Sequence, residues 1–150
     1  MNSNDPSAPV GIVIASHGDL ARAILNSAEM IVGEQDNVAA VCLGPEDNLD
    51  SFHASLTTAI EQADGGAGVV VLIDLFGGTP GNAAALCLSQ RELPIVSGVN
   101  LPMLLEVLLS RSALSPEALA AHALNSGAKG IVDITTKFKA SMQTAPPTEA

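Results

Sequence analysis

Val69-Val70-Val71-Leu72-Ile73-Asp74-Leu75-Phe76-Gly77-Gly78-Thr79-Pro80 is the stretch that decides the fold. Its opening run, Val69 to Ile73, is wholly apolar and mostly β-branched, the composition of a strand buried on both faces. The run breaks at Asp74, passes through a glycine pair and reaches Thr79-Pro80. That pair reads as a helix N-cap with proline at the first helical position. The helix through Ala83, Ala84, Leu86, Cys87 and Leu88 is apolar nearly all round, so it is expected to be covered on most sides.

Outward from this unit the same alternation repeats. Upstream, Val10 to Ala15 is a short apolar strand, followed by Ser16-His17-Gly18-Asp19. Asp19 can cap the helix whose apolar face is Leu20, Ile24, Leu25, Ala28, Ile31 and Val32 and which stops at Gly33. Val38 to Leu43 is a second strand. A helix on Leu49, Phe52, Leu56, Ile60 and Ala63 follows and ends at Asp64-Gly65-Gly66. Downstream, Pro94 to Val99 is a strand. Leu101 to Leu109 is a helix with Glu106 as its one charged member, greasy enough to need burial on more than one face. Ser115-Pro116 opens another helix, ended at Gly127, and Gly130 to Ile134 reads as a fifth strand. Strands alternating with helices predict an α/β, doubly wound, mainly parallel sheet with helices on both faces. Residues 10–139 are expected to form the domain. Residues 1–9 form a disordered N-terminal tail, and residues 140–150 a disordered tail or linker stub.

Composition narrows the function. The hydrophobic fraction is 47% against 15% charged, a globular balance. There are 16 acids to 6 bases, a formal net charge of -10, with no Trp and no Tyr. This disfavours nucleic acid and anionic membrane surfaces. Cys42 and Cys87 sit in apolar runs and read as small buried hydrophobes in a reducing, cytoplasmic setting. No apolar run approaches the ~20 residues that cross a bilayer, and no signal peptide is apparent.

His17 follows the first strand and Asp74 follows the third. A sheet order 2-1-3-4 makes those strands neighbours and puts the reversal of strand order between them, where α/β sheets bind ligands. Neutral imidazole, with an ordinary pKa of about 6.5, is nucleophilic at neutral pH. One ring nitrogen attacks while a carboxylate such as Asp74 holds the proton on the other and stabilises the cationic product. Gly77, Gly78 and Thr79 bring amide hydrogens and a hydroxyl to a helix N-terminus, which suits an anion, and Ser16 adds a second hydroxyl beside the histidine. Neither loop holds a lysine, so the site should pass a phosphoryl group on, not trap it. No dinucleotide fingerprint, Walker A sequence or Gly-x-Ser-x-Gly elbow occurs. His53 and His122 read as ordinary helix residues, and neither a metal nor a cofactor is implied.

Ser16-His17-Gly18, Glu29-Met30-Ile31-Val32-Gly33-Glu34, Asp74 to Asn82, and Ser97-Gly98-Val99-Asn100-Leu101-Pro102-Met103-Leu104 together resemble the mannose-family IIA domain of the bacterial phosphoenolpyruvate:sugar phosphotransferase system (PTS EIIA). The match runs in order over about residues 10–135. The resemblance implies that His17 accepts a phosphoryl group from the carrier protein HPr. It then passes the group to a IIB (EIIB) component, for uptake of a mannose-type hexose or amino sugar through membrane IIC and IID (EIIC/EIID) subunits. It implies Asp74 as the partner of His17. It implies a homodimer in which the last strand crosses to the other subunit and pairs antiparallel there. Ala145-Pro146-Pro147 resembles the start of a linker to a fused IIB. Thr79 stands where the family often has Ser, and Asp19 and Arg22 lie in a stretch that varies and bears on docking. Two other outlets stay open: the phosphoryl donor subunit of dihydroxyacetone kinase, and a regulatory relay module that transports no sugar.

Overall fold

The fold is a computed structural model that describes residues 7–144 and 146. The expected N-terminal tail therefore lies outside the described residues over 1–6, and the expected C-terminal tail does so at 145 and 147–150. In chain order the elements are β1 (Gly11–His17), α1 (Leu20–Val32), β2 (Val38–Leu43), α2 (Leu49–Ala63) and β3 (Val69–Ile73). They continue with α3 (Gly78–Cys87), β4 (Ile95–Ser97), α4 (Leu101–Ser110), α5 (Pro116–Lys129) and α6 (Ile134–Gln143). The four strands form one sheet in the order β2-β1-β3-β4, and every pairing is parallel.

Strand periodicity builds the two cores. Side chains alternate between faces. Val13 and Ala15 of β1, with Val69, Val71 and Ile73 of β3, pack under α2 and α3 beside Phe52, Leu56, Ala83 and Ala84. Ile12 and Ile14, with Val70 and Leu72, pack on the opposite side under α1, α4 and α5 beside Ala28, Leu104 and Leu119. Both central strands are thus buried on both faces, as their unbroken apolar runs require. In register, Ala15 pairs with Ile73, so β1 runs two residues beyond their shared ladder, to His17, beside the chain that leaves β3.

Four expectations need correction. Gly130 to Ile134 is not a fifth strand: Asp133 instead caps α6, its carboxylate accepting the Thr136 N–H at 3.1 Å and the Thr136 hydroxyl at 2.6 Å. A β-branched run becomes a strand only if an edge pairs with it. Here β4 pairs only with β3, residues 131–133 take no regular structure, and the Asp-x-x-Thr cap starts a helix at Ile134. The sheet of the described residues is accordingly all parallel. Helix α5 runs past Gly127 to Lys129, because Gly127 is a packing contact: a Cβ there would stand 2.6 Å from Met103 Cε. Helix α3 begins at Gly78 with Gly77 (φ +89°) as its cap, so Thr79 lies inside the first turn. That helix is also covered on one side only, leaving Leu86 and Leu88 exposed.

One ion pair ties the far ends of two helices together. Arg91 Nη2 donates to Asp64 Oδ2 at 2.7 Å, while the Gly66 and Gly68 N–H groups donate to Oδ1. Burial alone would raise the Asp64 pKa, but these hydrogen bonds outweigh it and hold the carboxyl below its ordinary value. A lowered folded-state pKa makes this stabilisation complete above the unfolded value, about 3.9, and lost as pH falls through the folded one. Asp64→Asn is expected to cost about 1 kcal/mol at pH 7 and to flatten the loss of stability below about pH 4. Urea unfolding at pH 7 and pH 3 measures both.

Candidate functional site

The carboxyl ends of β1 and β3 carry the site. His17 is the last residue of β1, and Asp74 follows β3 directly. Asp74 Oδ2 accepts two hydrogen bonds from His17, from its backbone N–H at 2.9 Å and from ring Nδ1 at 2.8 Å. The Asp74 backbone N–H donates to Ala15 O at 3.2 Å, which carries the ladder one step past β3 and fixes where the carboxylate stands. A carboxylate only accepts, so this geometry puts the ring proton on Nδ1 and leaves the Nε2 lone pair free.

The pair is asymmetrically exposed. The His17 side chain is 45% accessible and that of Asp74 only 10%. Asp74 Oδ1 is buried without a hydrogen-bond partner among the described residues. The carboxylate charge is therefore answered from one side, by the two N–H groups of His17. A cationic ring would answer it better than a neutral one, which is what a substituent on Nε2 produces.

Nε2 lies against the start of α3. A Cβ built on Gly78 would stand 3.0 Å from both Nε2 and Cε1 of His17. Gly78 has φ +70°, so a side chain there would be strained as well as crowded. The first amide hydrogens of a helix have no intrahelical partner and sit at the positive end of its dipole. Here they belong to Gly78 and Thr79, since Pro80 has none. Thr79 is half-buried in that first turn. The structure thus brings His17 against Asp74 and Gly78, with Gly77 and Thr79 on either side of Gly78 at the start of α3.

Ser16 is placed differently. It is fully buried, and its hydroxyl accepts the Ala21 N–H at 2.7 Å and donates to Gly18 O at 3.4 Å. Asp19, expected to cap α1, occupies the cap position but makes no side-chain cap bond. His53 and His122 take no part in the pair: His53 lies in α2, and His122 in α5 contacts Ser110 and Glu106. Sequence reasoning missed Leu75 and Phe76 as surface residues. Phe76 is 90% exposed in the same turn as Asp74. The available signal was position, since both lie beyond the strand end that Asp74 marks.

The family described as "PTS system fructose IIA component" matches residues 11–124. The chain is similar to the mannose-specific EIIAB component of Escherichia coli, 34% identical over 94% of this chain and 44% of that protein. It thus spans less than half the length of that relative. The fructose-specific EIIA component of Bacillus subtilis is 36% identical over 71% of this chain and 73% of that one. Among solved structures, a phosphotransferase system component EIIA from Streptococcus agalactiae superposes with a TM-score of 0.78 at 30% identity, covering 85% of this chain and 98% of that one.

Proposed function

This chain belongs to the mannose-type EIIA family of phosphotransferase-system components, and from that premise we propose that it is a phosphohistidine carrier, with His17 Nε2 as the atom that carries the group. The observation that supports the reading is the 2.8 Å contact of Nδ1 with Asp74, which leaves an exposed Nε2 beside the amide end of α3. The Nε2 lone pair attacks the phosphorus of phospho-HPr. The phosphorus–nitrogen bond to the donor imidazole breaks, and the donor leaves with that electron pair. His17 keeps its Nδ1 proton and becomes a phospho-imidazolium, neutralised by Asp74. The amide hydrogens of Gly78 and Thr79, the Thr79 hydroxyl and the opening made by Gly77 receive the phosphoryl oxygens. The same step in reverse hands the group to a histidine of an EIIB component. The sugar, a mannose-type hexose or amino sugar, is met only downstream at EIIC and EIID.

The exposed Leu75 and Phe76, in the turn that carries Asp74, suit a protein docking face, the kind of surface HPr and EIIB would need. The domain of residues 10–139 works in the cytoplasm, and as a homodimer. In support of a second subunit, Ile131, Ile134, Phe138 and Met142 are exposed in the segment after α5, with Ile131 at 80%. Packing of residues 131–142 against a second subunit would cover them.

The test is phosphotransfer from phosphoenolpyruvate through enzyme I and HPr. An acid-labile, base-stable label on this chain is expected. Absence of label with active HPr would overturn the carrier reading. Asp74→Asn should slow labelling by roughly 10²–10³-fold with the melting curve unchanged, because an amide no longer dictates the ring tautomer or neutralises the cation. A wild-type rate in that variant would remove Asp74 from the mechanism.

A further inference from the structure

We propose that Ser16 is a positioning residue for His17 and does not contact the phosphoryl group. The proposal rests on the carrier reading above. Asp74 holds His17 from one side, through the backbone N–H and Nδ1. That grip is useful only if the His17 backbone stays in place relative to β3. On the other side of His17 the chain must turn sharply from β1 into α1, through Gly18 at φ +53°. The residue at the helix cap, Asp19, has φ -84° and ψ 6° and makes no side-chain cap bond. Ser16 does that work from inside the strand. Its hydroxyl receives the Ala21 N–H at 2.7 Å, the hydrogen bond a cap residue normally supplies, and gives its own proton to Gly18 O. With Gly18 N–H bonded to Leu43 O at 2.9 Å, the turn around His17 is closed at both ends.

The burial of Ser16 decides between its two possible uses. A fully buried hydroxyl, already accepting one N–H and donating one proton, has neither exposure nor a spare hydrogen for an incoming phosphate. Its effect on transfer is therefore indirect. Remove it, and the Ala21 N–H is left buried without a partner, so the turn relaxes to find one. His17 moves with the turn, the Nδ1–Asp74 bond lengthens, and the two ring tautomers become closer in energy. Rings with the proton on Nε2 cannot attack phosphorus.

Ser16→Ala, Ser16→Thr and wild type are compared in two assays. One is the rate of phosphoryl transfer from phospho-HPr; the other is the ¹⁵N shifts of the His17 ring, which report the tautomer. Ser16→Ala is expected to transfer about 10- to 100-fold more slowly, the range for a small misplacement of a reacting group. Its ring shifts should move toward a mixture of tautomers. Ser16→Thr, which keeps the hydroxyl, is expected to return both readouts toward wild type. A purely structural serine would lower the melting temperature of Ser16→Ala and leave ring shifts and rate alone; that result overturns the proposal. If Ser16→Ala does not fold, Ser16→Cys, which keeps the bulk with a weak acceptor, is judged by the same two readouts. Failure of wild type itself to take label would instead defeat the carrier reading.

Discussion

His17→Gln is expected to accept no acid-labile phosphoryl group, a fall of at least about 10³-fold in transfer, the scale on which loss of a nucleophile is felt. Glutamine has similar reach, and the backbone N–H at this position still donates to Asp74 Oδ2, 2.9 Å away in the native chain. The turn should therefore keep its shape, and the melting temperature should change little, because a half-exposed side chain at a strand end carries little packing. What is lost is the lone pair at Nε2. Labelled phosphoenolpyruvate with enzyme I and HPr measures the loss, and a melting curve checks the fold. Label retained on the variant would move the phosphoryl group to another side chain, with His53 and His122 the only other imidazoles.

Gly11→Ala is expected to be the most destabilising single methyl in the chain. A Cβ at Gly11 would stand 2.3 Å from Ala63 O and 2.8 Å from its carbonyl carbon, where the end of α2 crosses the start of β1. Both atoms are backbone, so no rotamer change relieves the overlap. Gly11 itself is buried, and β1 is held between β2 and β3. Either α2 lifts or the first rungs of two ladders break. Overpacking of this kind costs about 3 kcal/mol, which for a domain of this size lowers the melting temperature by roughly 10 °C. Urea denaturation gives the free energy directly. A variant within 0.5 kcal/mol of wild type, on the scale of an ordinary surface change, would mean that α2 yields easily. Transfer activity in the surviving folded fraction should be near normal, since Gly11 lies at the opposite end of β1 from His17.

Much of the site was legible before any coordinates. Asp74 is the first polar residue after an apolar, β-branched run, and Ser16-His17 follows the apolar run of β1 in the same way. Strand ends and strand order together predict that 57 positions of separation collapse into one contact, and they do, at 2.8 Å. Other residues were misread because their partners could not be inferred from chain position. Ser16 looked like a phosphate donor because it adjoins the histidine, yet a strand-end side chain can point into the protein, and this one does. Thr79-Pro80 carried a good cap signal, but Gly77 and Gly78 took up positive φ just ahead of it and started α3 two residues earlier.

Local chemistry in the chain determined where four strands lie, that they are parallel, and which two strand ends meet. Apolar period, turn residues and crossover handedness are short-range properties, and a single sequence displays them. The tertiary structure alone decided the rest: which nitrogen of His17 is tied down, which hydroxyl faces inward, that Gly127 makes room for Met103, and that residues 134–143 coil into a helix. Each of these depends on an atom contributed by a distant segment at a distance of a few ångströms. A pattern of residue types records what a segment prefers, not what it meets.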